Sequence, residues 1–479
     1  MDKKWWTLIA VGAGTFMLLL DVTIVTVAQP GIQSGLHAGF TDVQWVLAAY
    51  ALTLAAFLLT SGVLADRYGR KRLFQIGLVI FTLGSLLCGV AQDPLMLILS
   101  RSGQGIGGVI TTNWSWRGIF LVNVPIGVIA VAVTAWRVEE SRSPHPHAPD
   151  WAGFALLTTG LVGLVYGLIR AGENSWSDTG VITCLAVAVV ALAGFVVAEQ
   201  RVAYPMFDLS LLRVTTFLGG SIAAFAMNGS LYAVLLYLVI YLQDILGCPA
   251  QDAGLRLAII SGAQFVTATL AGRVSERVPA RWLIGPGLLF VGIGLVVMAG
   301  LSGGSSWTHL IPGFIVAGLG GGLVNPPLAS TAIGVVPPHQ AGMASGVSAT
   351  FRQIGIATGI AALGSIFTAA MPHNLAHSPP VAASAPRIVA LVRQGEIGRL
   401  FASTPPAARG QPGPFGPIKR PPGRPGTVVR AARRRERWPA RPGLAGPGRH
   451  GPGRRHRRRP SRPRTRPHRR PRIARWSSR

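Results

Sequence analysis

Residues 43–91 read VQWVLAAYALTLAAFLLTSGVLADRYGRKRLFQIGLVIFTLGSLLCGVA, two apolar runs joined by a short turn rich in charge. A helix of roughly 20 apolar residues is needed to cross about 30 Å of hydrocarbon. Lipid offers no partner for backbone N–H and C=O groups, so a crossing segment must satisfy them within its own helix. This stretch therefore predicts two membrane-spanning helices with a basic turn between them.

The same pattern extends over most of the chain. The 479 residues are 49% hydrophobic and only 13% charged, with a mean hydropathy of +0.43, which excludes an ordinary soluble domain. We predict an all-α integral membrane protein with about 11–12 transmembrane helices. The twelve candidate spans are residues 6–28, 43–65, 73–91, 95–110, 119–136, 151–169, 179–198, 216–242, 253–271, 282–301, 310–333 and 343–370.

Loop charge predicts the orientation, because Lys and Arg in short loops stay on the cytoplasmic side. Lys3, Lys4 and residues 67–72 place the N-terminus inside. Counting spans onward from that turn puts Arg137 outside, whereas its charge places it inside. Either one span is missing, or residues 95–110 do not cross. That segment carries Arg101 at its middle, where a charge costs about 2.5–3.5 kcal/mol on insertion scales.

The basicity belongs to the C-terminal tail. More than half of the chain's Lys and Arg residues, which give it a net charge of +28, lie in residues 409–479 among Pro, Gly and Ala. Such a composition buries no core, and we expect disorder there. Two interpretations stay open, an out-of-frame reading of a GC-rich gene and a genuine basic arm that binds RNA or lipid.

We find no sequence pattern typical of an enzyme active site. Cys88, Cys184 and Cys248 lie in or beside apolar stretches without paired spacing or a nearby His cluster, so neither a disulfide framework nor a zinc site is expected. We find no nucleophile–base pair and no phosphate-cradling Gly loop. The chain is therefore predicted not to be an enzyme, to need no cofactor and not to use ATP.

The turn at Gly62-Val-Leu-Ala-Asp66-Arg67-Tyr-Gly69-Arg70 resembles the signature loop between spans two and three of the major facilitator superfamily. The resemblance implies a conformational latch formed by Gly62, Asp66, Arg67, Gly69 and Arg70. A generic positive-inside loop is the alternative. A weaker copy at residues 272–277 implies two pseudo-repeated halves with a substrate site between them.

Two further segments resemble the drug:proton antiporter family with fourteen spans. Leu20-Asp21-Val-Thr resembles its first-span motif, and the run 101–108 its fourth-span motif. The resemblance implies proton coupling by Asp21 and Arg101, since a cation beside a buried carboxylate changes its proton affinity. It also implies helix packing through the motif residues Gln104, Gly105 and Gly108. The alternatives are an Asp facing a water-filled vestibule and, for 101–108, a short surface turn.

The chain departs from that family in two places. The fourth-span residues end at Gly108 and run almost directly into Trp114 and the sixth span, and no apolar run follows residue 370, so span five and the last span are expected to be missing. Loss of one odd helix should invert or frustrate everything downstream. The predicted layout has five parts: residues 1–142 (N-terminal half), 143–200 (two linker spans), 201–372 (C-terminal half), 373–408 (polar linker) and 409–479 (tail).

The resemblance implies a proton-coupled exporter of lipophilic drugs or antibiotics that works by alternating access and uses the proton gradient as its energy source. The resemblance also implies a multi-pass protein of the cell membrane that acts as a monomer. The implied partners are small lipophilic or cationic substrates, protons and the lipid bilayer, with no nucleic acid. A truncated relative that no longer transports is the alternative.

Overall fold

The computed structural model describes residues 3–104, 116–121, 123–141, 148–275, 277–299, 305–336 and 341–376. Every regular element in these ranges is helical, and single 3₁₀ or π turns occur at 209–213, 241–245 and 307–310. The α-helices are Lys3–Leu36 (α1), Phe40–Tyr68 (α2), Arg70–Gly89 (α3), Pro94–Gln104 (α4), Trp116–Leu121 (α5), Asn123–Arg137 (α6), Trp151–Glu173 (α7), Thr179–Arg201 (α8), Thr215–Ile240 (α9), Ala250–Val274 (α10), Arg281–Val297 (α11), Ile311–Gly334 (α12) and Ala341–Ala376 (α13).

Eight helices in the described ranges are long and apolar enough to cross a membrane. They are Phe40–Ser61, Arg70–Gly89, Trp151–Glu173, Thr179–Arg201, Thr215–Gln243, Ala250–Val274, Trp307–Ala332 and Gly342–Ala370. Their outward faces carry large apolar side chains; Val190 is 71% exposed, Leu255 73% and Phe265 74%. Lipid can cover such faces but water cannot. The all-α integral membrane fold is thereby confirmed.

Helices α9 and α13 cross with their backbones in direct contact. A Cβ added to Gly229 would lie 2.8 Å from the Gly355 carbonyl oxygen, and one added to Gly359 would collide with the Gly229 carbonyl. Small residues permit this approach, which matters in lipid because helices there associate through close packing. Helix α13 also packs antiparallel along α2, where Thr350 Oγ1 donates to the Ala55 carbonyl at 3.5 Å.

Helices α3 and α6 are antiparallel neighbours. Two contacts fix their register, Thr82 with Gly127 and Lys71 with Ala135, and Gly89 of α3 also contacts Leu121 at the end of α5. The contact of Lys71 is a 2.9 Å hydrogen bond from its Nζ to the carbonyl oxygen of Ala135. The end of α6 therefore lies beside the charged turn between α2 and α3.

The segment between α3 and α5 begins and ends on the same side of the bundle. Arg117 Nη1 donates to the Ala91 carbonyl at 2.9 Å, and the Arg117 carbonyl oxygen lies 3.3 Å from where a Cβ on Gly89 would be. Ala91 and Arg117 therefore lie on the same side of the bundle, while residues 105–115 between them are outside the described residues. Helix α6 returns to the side from which α3 started, which is not the inversion that counting spans predicted.

Helix α4 is described over Pro94–Gln104, the first part of the segment 95–110 that the sequence offered as a span. The rest of that segment, including Gly105 and Gly108, lies outside the described residues. Arg101 lies in the last described turn of α4.

Basic connections gather at one end of the bundle, which we call the basic end and define by the turn at residues 67–72. Arg137 places its guanidinium 5.3 Å from the Trp6 ring, so the start of α1 and the end of α6 both lie there. Thr60 Oγ1 contacts Met206 Sδ at 3.6 Å, which brings the α8–α9 connection to the same end. We call the opposite side the far end.

Candidate functional site

Arg101 is fully buried at the junction of α2, α4 and α5. Its guanidinium carbon lies 4.3 Å from the Tyr50 ring centroid and 5.8 Å from that of Phe120. Its Nη1 donates to Gln104 Oε1 at 2.9 Å, and its Nε donates to the Val46 carbonyl at 3.4 Å. A planar guanidinium can stack on rings and donate in its own plane at once, which explains why Arg fits here.

Gln104 extends this contact into a buried polar network. Its Nε2 donates to Ser85 Oγ at 2.6 Å, and Asn123 Nδ2 donates to the same hydroxyl oxygen at 2.9 Å. Cys88 Sγ lies 3.3 Å from Gln104 Oε1. The network therefore joins α3, α4 and α6 around Arg101. Gln104 also packs against α3, with its backbone N 2.8 Å from where a Cβ on Gly84 would be, consistent with the packing predicted for the motif.

The charged turn between α2 and α3 contains a local ion pair. Arg70 Nε and Nη2 both donate to Asp66 Oδ1, at 3.0 and 2.8 Å, across one helical turn. Gly69 separates the two helices with φ of 111°, a conformation that side chains rarely adopt. Arg67 is exposed, with its guanidinium 5.8 Å from the neighbouring Tyr68 ring, and Gly62 lies inside α2.

Glu140 was not singled out from the sequence, yet it closes this turn. Its carboxylate accepts hydrogen bonds from the backbone N–H groups of Lys71 and Arg72, at 2.9 and 3.3 Å. These are among the unpaired N–H groups at the start of α3, where a negative charge is favoured by the helix dipole. The Arg70 amide also donates to the Ser141 carbonyl at 2.9 Å. The chain after α6 thus caps α3.

A cavity of about 680 Å³ lies between α1 and the C-terminal helices α9, α10, α12 and α13. This is within the range of drug-sized ligand sites. Its wall is mainly apolar, and the polar side chains that line it are Thr26, Asn228, Tyr232, Gln251, Ser261, Gln264, Asn325 and Arg352. Arg352 is the one charged side chain among the described lining residues.

The Arg101 network reaches close to this cavity. Thr26 and Tyr232 line both the cavity and a small neighbouring gap, and Arg101, Tyr50 and Gln353 line that gap as well. One layer of side chains thus separates the buried guanidinium from the cavity. Neither Tyr232 nor Arg352 was singled out from the sequence.

Two buried carboxyl groups meet at the basic end of the α7–α8 hairpin. Asp150 Oδ1 accepts from the Gly153 amide at 2.9 Å and caps α7, and Glu199 Oε2 accepts from the Phe207 amide at 3.3 Å. Asp150 Oδ2 and Glu199 Oε1 have no hydrogen-bond partner among the described atoms, and both border Gly153. The sequence analysis placed a span at residues 151–169 but singled out neither Asp150 nor Glu199.

At the far end the same hairpin is closed by an ion pair between Arg170 Nε and Asp178 Oδ1, 3.1 Å apart. Partial desolvation acts to raise the pKa of Asp178, but hydrogen bonds from Arg170 and the Val181 amide outweigh it and hold that pKa below its ordinary value. Asp178 thereby stays ionised as both the cap of α8 and the partner of Arg170.

Comparison with known proteins gives the family. The model of the Major Facilitator Superfamily matches residues 11–111 and 103–360, which is more than half of the chain. The chain belongs to the major facilitator superfamily. It is therefore built on a transporter fold, as the signature turn at residues 62–72 predicted. The two matched stretches overlap at 103–111.

Among the curated members of this superfamily, the multidrug resistance protein Stp of Mycobacterium tuberculosis (strain CDC 1551 / Oshkosh) is 33% identical over 407 residues, 76% of each chain. The tetracenomycin C resistance and export protein of Streptomyces glaucescens is 29% identical over 406 residues, again 76% of each. A crystal structure of a bacterial homologue of the human lysosomal transporter Spinster aligns at 15% identity and a TM-score of 0.46, covering 84% of this chain and 94% of that one.

For this major facilitator protein, the structure places the proposed proton-coupling residues in different helices. Asp21 lies in α1, five residues before Thr26 on the cavity wall, and its side chain is outside the described atoms. Arg101 is buried beside the gap that Thr26 also lines. The predicted latch residues lie together at the basic end, far along α2 from this pair.

Proposed function

We propose that this protein exports lipophilic drugs or antibiotics across the cell membrane. The observation that carries the proposal is the 680 Å³ cavity between α1 and the C-terminal half, mainly apolar with a few convergent polar groups. The names of the relatives, which refer to multidrug resistance and to tetracenomycin C export, support the same function. Transport would proceed by alternating access, with the halves rocking about this cavity.

The energy source proposed is the proton gradient, with Asp21 as the proton carrier. Asp21 is a carboxyl group in a predicted transmembrane helix, where ionisable residues mark ion or proton pathways. Arg101, one layer of side chains from the cavity, would respond to the state of that carboxyl through the gap lined by Thr26. The turn held by Asp66, Arg70 and Glu140 would act as the latch at the cytoplasmic end.

We also propose a subfamily for the chain and its orientation in the membrane. We place it in the fourteen-span drug:proton antiporter family, without its fifth and last spans, as a monomer with the N-terminus in the cytoplasm. The gathering of Arg67, Arg70, Arg72 and Arg137 at one end supports the orientation through the positive-inside rule. The hydrogen bond from Arg117 to the Ala91 carbonyl, which puts both residues on the same side of the bundle, supports the same orientation for α6.

A second candidate is a truncated relative that binds but does not transport. The lack in the sequence of an apolar run for the fifth span and for the last span favours it, because an exporter that rocks its halves needs each half to be mechanically complete. In this view the cavity and the Arg101 network persist as structural remnants.

One experiment separates the two functions. Cells that express the full chain are loaded with a panel of fluorescent lipophilic dyes, and efflux is followed with and without a proton uncoupler, beside the Asp21→Asn variant. Energy-dependent efflux that the uncoupler and Asp21→Asn both abolish is the expected result. No efflux of any dye, with insertion verified by surface labelling, would establish the non-transporting relative instead.

A further inference from the structure

The cavity has an unbalanced charge. Among its described lining residues, Arg352 on α13 is charged and no carboxylate is present. Arg352 is only partly exposed and forms no ion pair or hydrogen bond with another described residue; the titratable group that faces it is the Tyr232 hydroxyl. A guanidinium whose N–H groups have no acceptor among the described residues of a largely apolar wall raises the free energy of the folded protein.

The other residues of the cavity wall could contact the parts of a ligand that Arg352 does not bind. Asn228, Gln264 and Asn325 come from three other helices and offer amide groups around the same space. The apolar surface of Leu231, Leu235 and Ile260 would cover the body of a ligand. A guanidinium binds a carboxylate or another oxyanion through two parallel hydrogen bonds, with geometric selectivity as well as attraction.

We propose that Arg352 is the anchor for an anionic group of the substrate, and that the exporter selects lipophilic weak acids. The substrate would have an apolar, aromatic body and one oxyanion, a carboxylate or an ionised phenol. This deepens the proposed function and rests on it, and it replaces the expectation of cationic substrates. A cation would meet an uncompensated positive charge in the described wall, and a neutral compound would leave that charge without a partner.

The proposal is tested with three fluorescent probes that share one ring system: anthracene-9-carboxylate, anthracene-9-carboxamide and anthracene-9-methylammonium. Their binding to the purified full chain and their efflux from expressing cells are measured for the unmodified protein and three variants. Arg352→Gln removes the charge at similar size, Arg352→Lys keeps the charge without the planar fork, and Arg201→Gln removes an exposed arginine outside the cavity as the matched control.

We expect the carboxylate to bind the unmodified protein about tenfold or more tightly than the amide, since hydrogen bonds to charged groups exceed neutral ones by that order. Arg352→Gln should abolish this preference, Arg352→Lys should retain part of it, and Arg201→Gln should leave it unchanged. Monodispersity in size-exclusion chromatography verifies that each variant is folded, and Arg352→Lys serves as the reporter if Arg352→Gln does not fold.

Other results would overturn the proposal. Equal binding of carboxylate and amide would do so, as would a carboxylate preference that survives Arg352→Gln. If Asp21 neutralises Arg352, the preference will be absent from the unmodified protein and created by Asp21→Asn, which also contradicts the proposal. Export of the amide and the cation but not of the acid would leave the proposed function intact while this inference fails; no binding or export of any lipophilic compound would remove both.

Discussion

At the scale of single residues, Arg101 combines contacts that another cation cannot reproduce. Its guanidinium stacks on the Tyr50 ring. Its N–H groups, which lie in the guanidinium plane, can at the same time donate to Gln104 Oε1. A lysine ammonium is a compact point charge on a flexible stem and can make one of these contacts but not both. The buried network through Ser85 and Asn123 would then lose its organising member.

We therefore expect Arg101→Lys to lower the unfolding temperature and to abolish efflux. A desolvated cation–π contact is worth about 2 kcal/mol, and the weakened hydrogen bond adds to that loss. The measurement is thermal unfolding in detergent together with dye efflux. Arg273→Lys, at an exposed position on α10, is the control and should change neither. Unfolding temperatures that agree between the two variants would contradict a structural role for the stacked guanidinium.

Glu199 offers a second test at residue scale, because one of its carboxyl oxygens and one of Asp150 are buried without a partner among the described atoms. In Glu199→Gln the amide can donate to Asp150 Oδ2 while its oxygen still accepts from the Phe207 amide. We expect this variant to be as stable as the unmodified chain or more so.

Glu199→Ala, in contrast, should destabilise by about 1–3 kcal/mol, because the Phe207 amide loses its acceptor and stays buried. Thermal unfolding of both variants, with Asp150→Asn added to complete a double-mutant cycle, measures the coupling between the carboxyl groups. A Glu199→Gln protein as unstable as Glu199→Ala would show that the ionised carboxylate itself is required.

At the scale of elements, the crossing of α9 and α13 depends on glycine. A methyl group at position 359 would collide with the backbone of Gly229, so the two helices would have to separate. Since lipid supplies no hydrophobic force between helices, lost backbone contact is not replaced.

We expect Gly359→Ala to cost about 1–3 kcal/mol through overpacking, although alanine is the better helix former. Gly262→Ala on α10 is the matched control. It lies exposed with no atom within 4 Å of the added Cβ, and it should gain about 0.5–1 kcal/mol. Unfolding temperatures that shift in the same direction for both substitutions would be evidence against the tight crossing.

Contacts at the ends of helices also stabilise the charged turn between α2 and α3. The Asp66–Arg70 pair is exposed, with side-chain exposures of 43% and 63%, and exposed pairs contribute about 0–1 kcal/mol. The Glu140 carboxylate instead meets the first amides of α3 and ties α6 to α3. The signature turn is therefore stabilised by Glu140, a residue 69 positions after Lys71 and outside the turn's own sequence.

At the scale of the whole molecule, the direction of each helix follows from contacts between neighbours. Because Ala91 and Arg117 lie at the same side, α6 ends at the basic end, which is the direction that loop charge predicts for it. The two observations are independent, since one comes from hydrogen bonds and the other from Arg positions.

Single cysteines test this topology after the three native cysteines are replaced by serine. We expect Ser141→Cys and Ser275→Cys to react with a membrane-impermeant maleimide only from the cytoplasm, since both lie near basic connections. Ser177→Cys, exposed between α7 and α8, is the opposite-side control and should react only from outside. Labelling of positions 141 and 275 from different sides would mean that residues 94–117 do cross.

The sequence by itself determined the class of fold and the family. Apolar runs of membrane length need no tertiary information to be recognised, because lipid imposes helix on any segment that crosses it. The sequence of the turn at residues 62–72 was enough to identify the superfamily. The burial of Arg101 could be expected from its place in an apolar segment. These inferences depend on local composition and spacing, which one chain displays in full.

Only the tertiary structure decided which distant residues act together. The capping of α3 by Glu140, the pairing of Asp150 with Glu199 and the place of Arg352 in the cavity wall join residues from separate helices. The return of α6 to the basic end likewise overturned the inversion expected from counting spans. Helix packing creates such contacts through the register and direction of neighbouring helices, and neither quantity is written in the local pattern of a single helix.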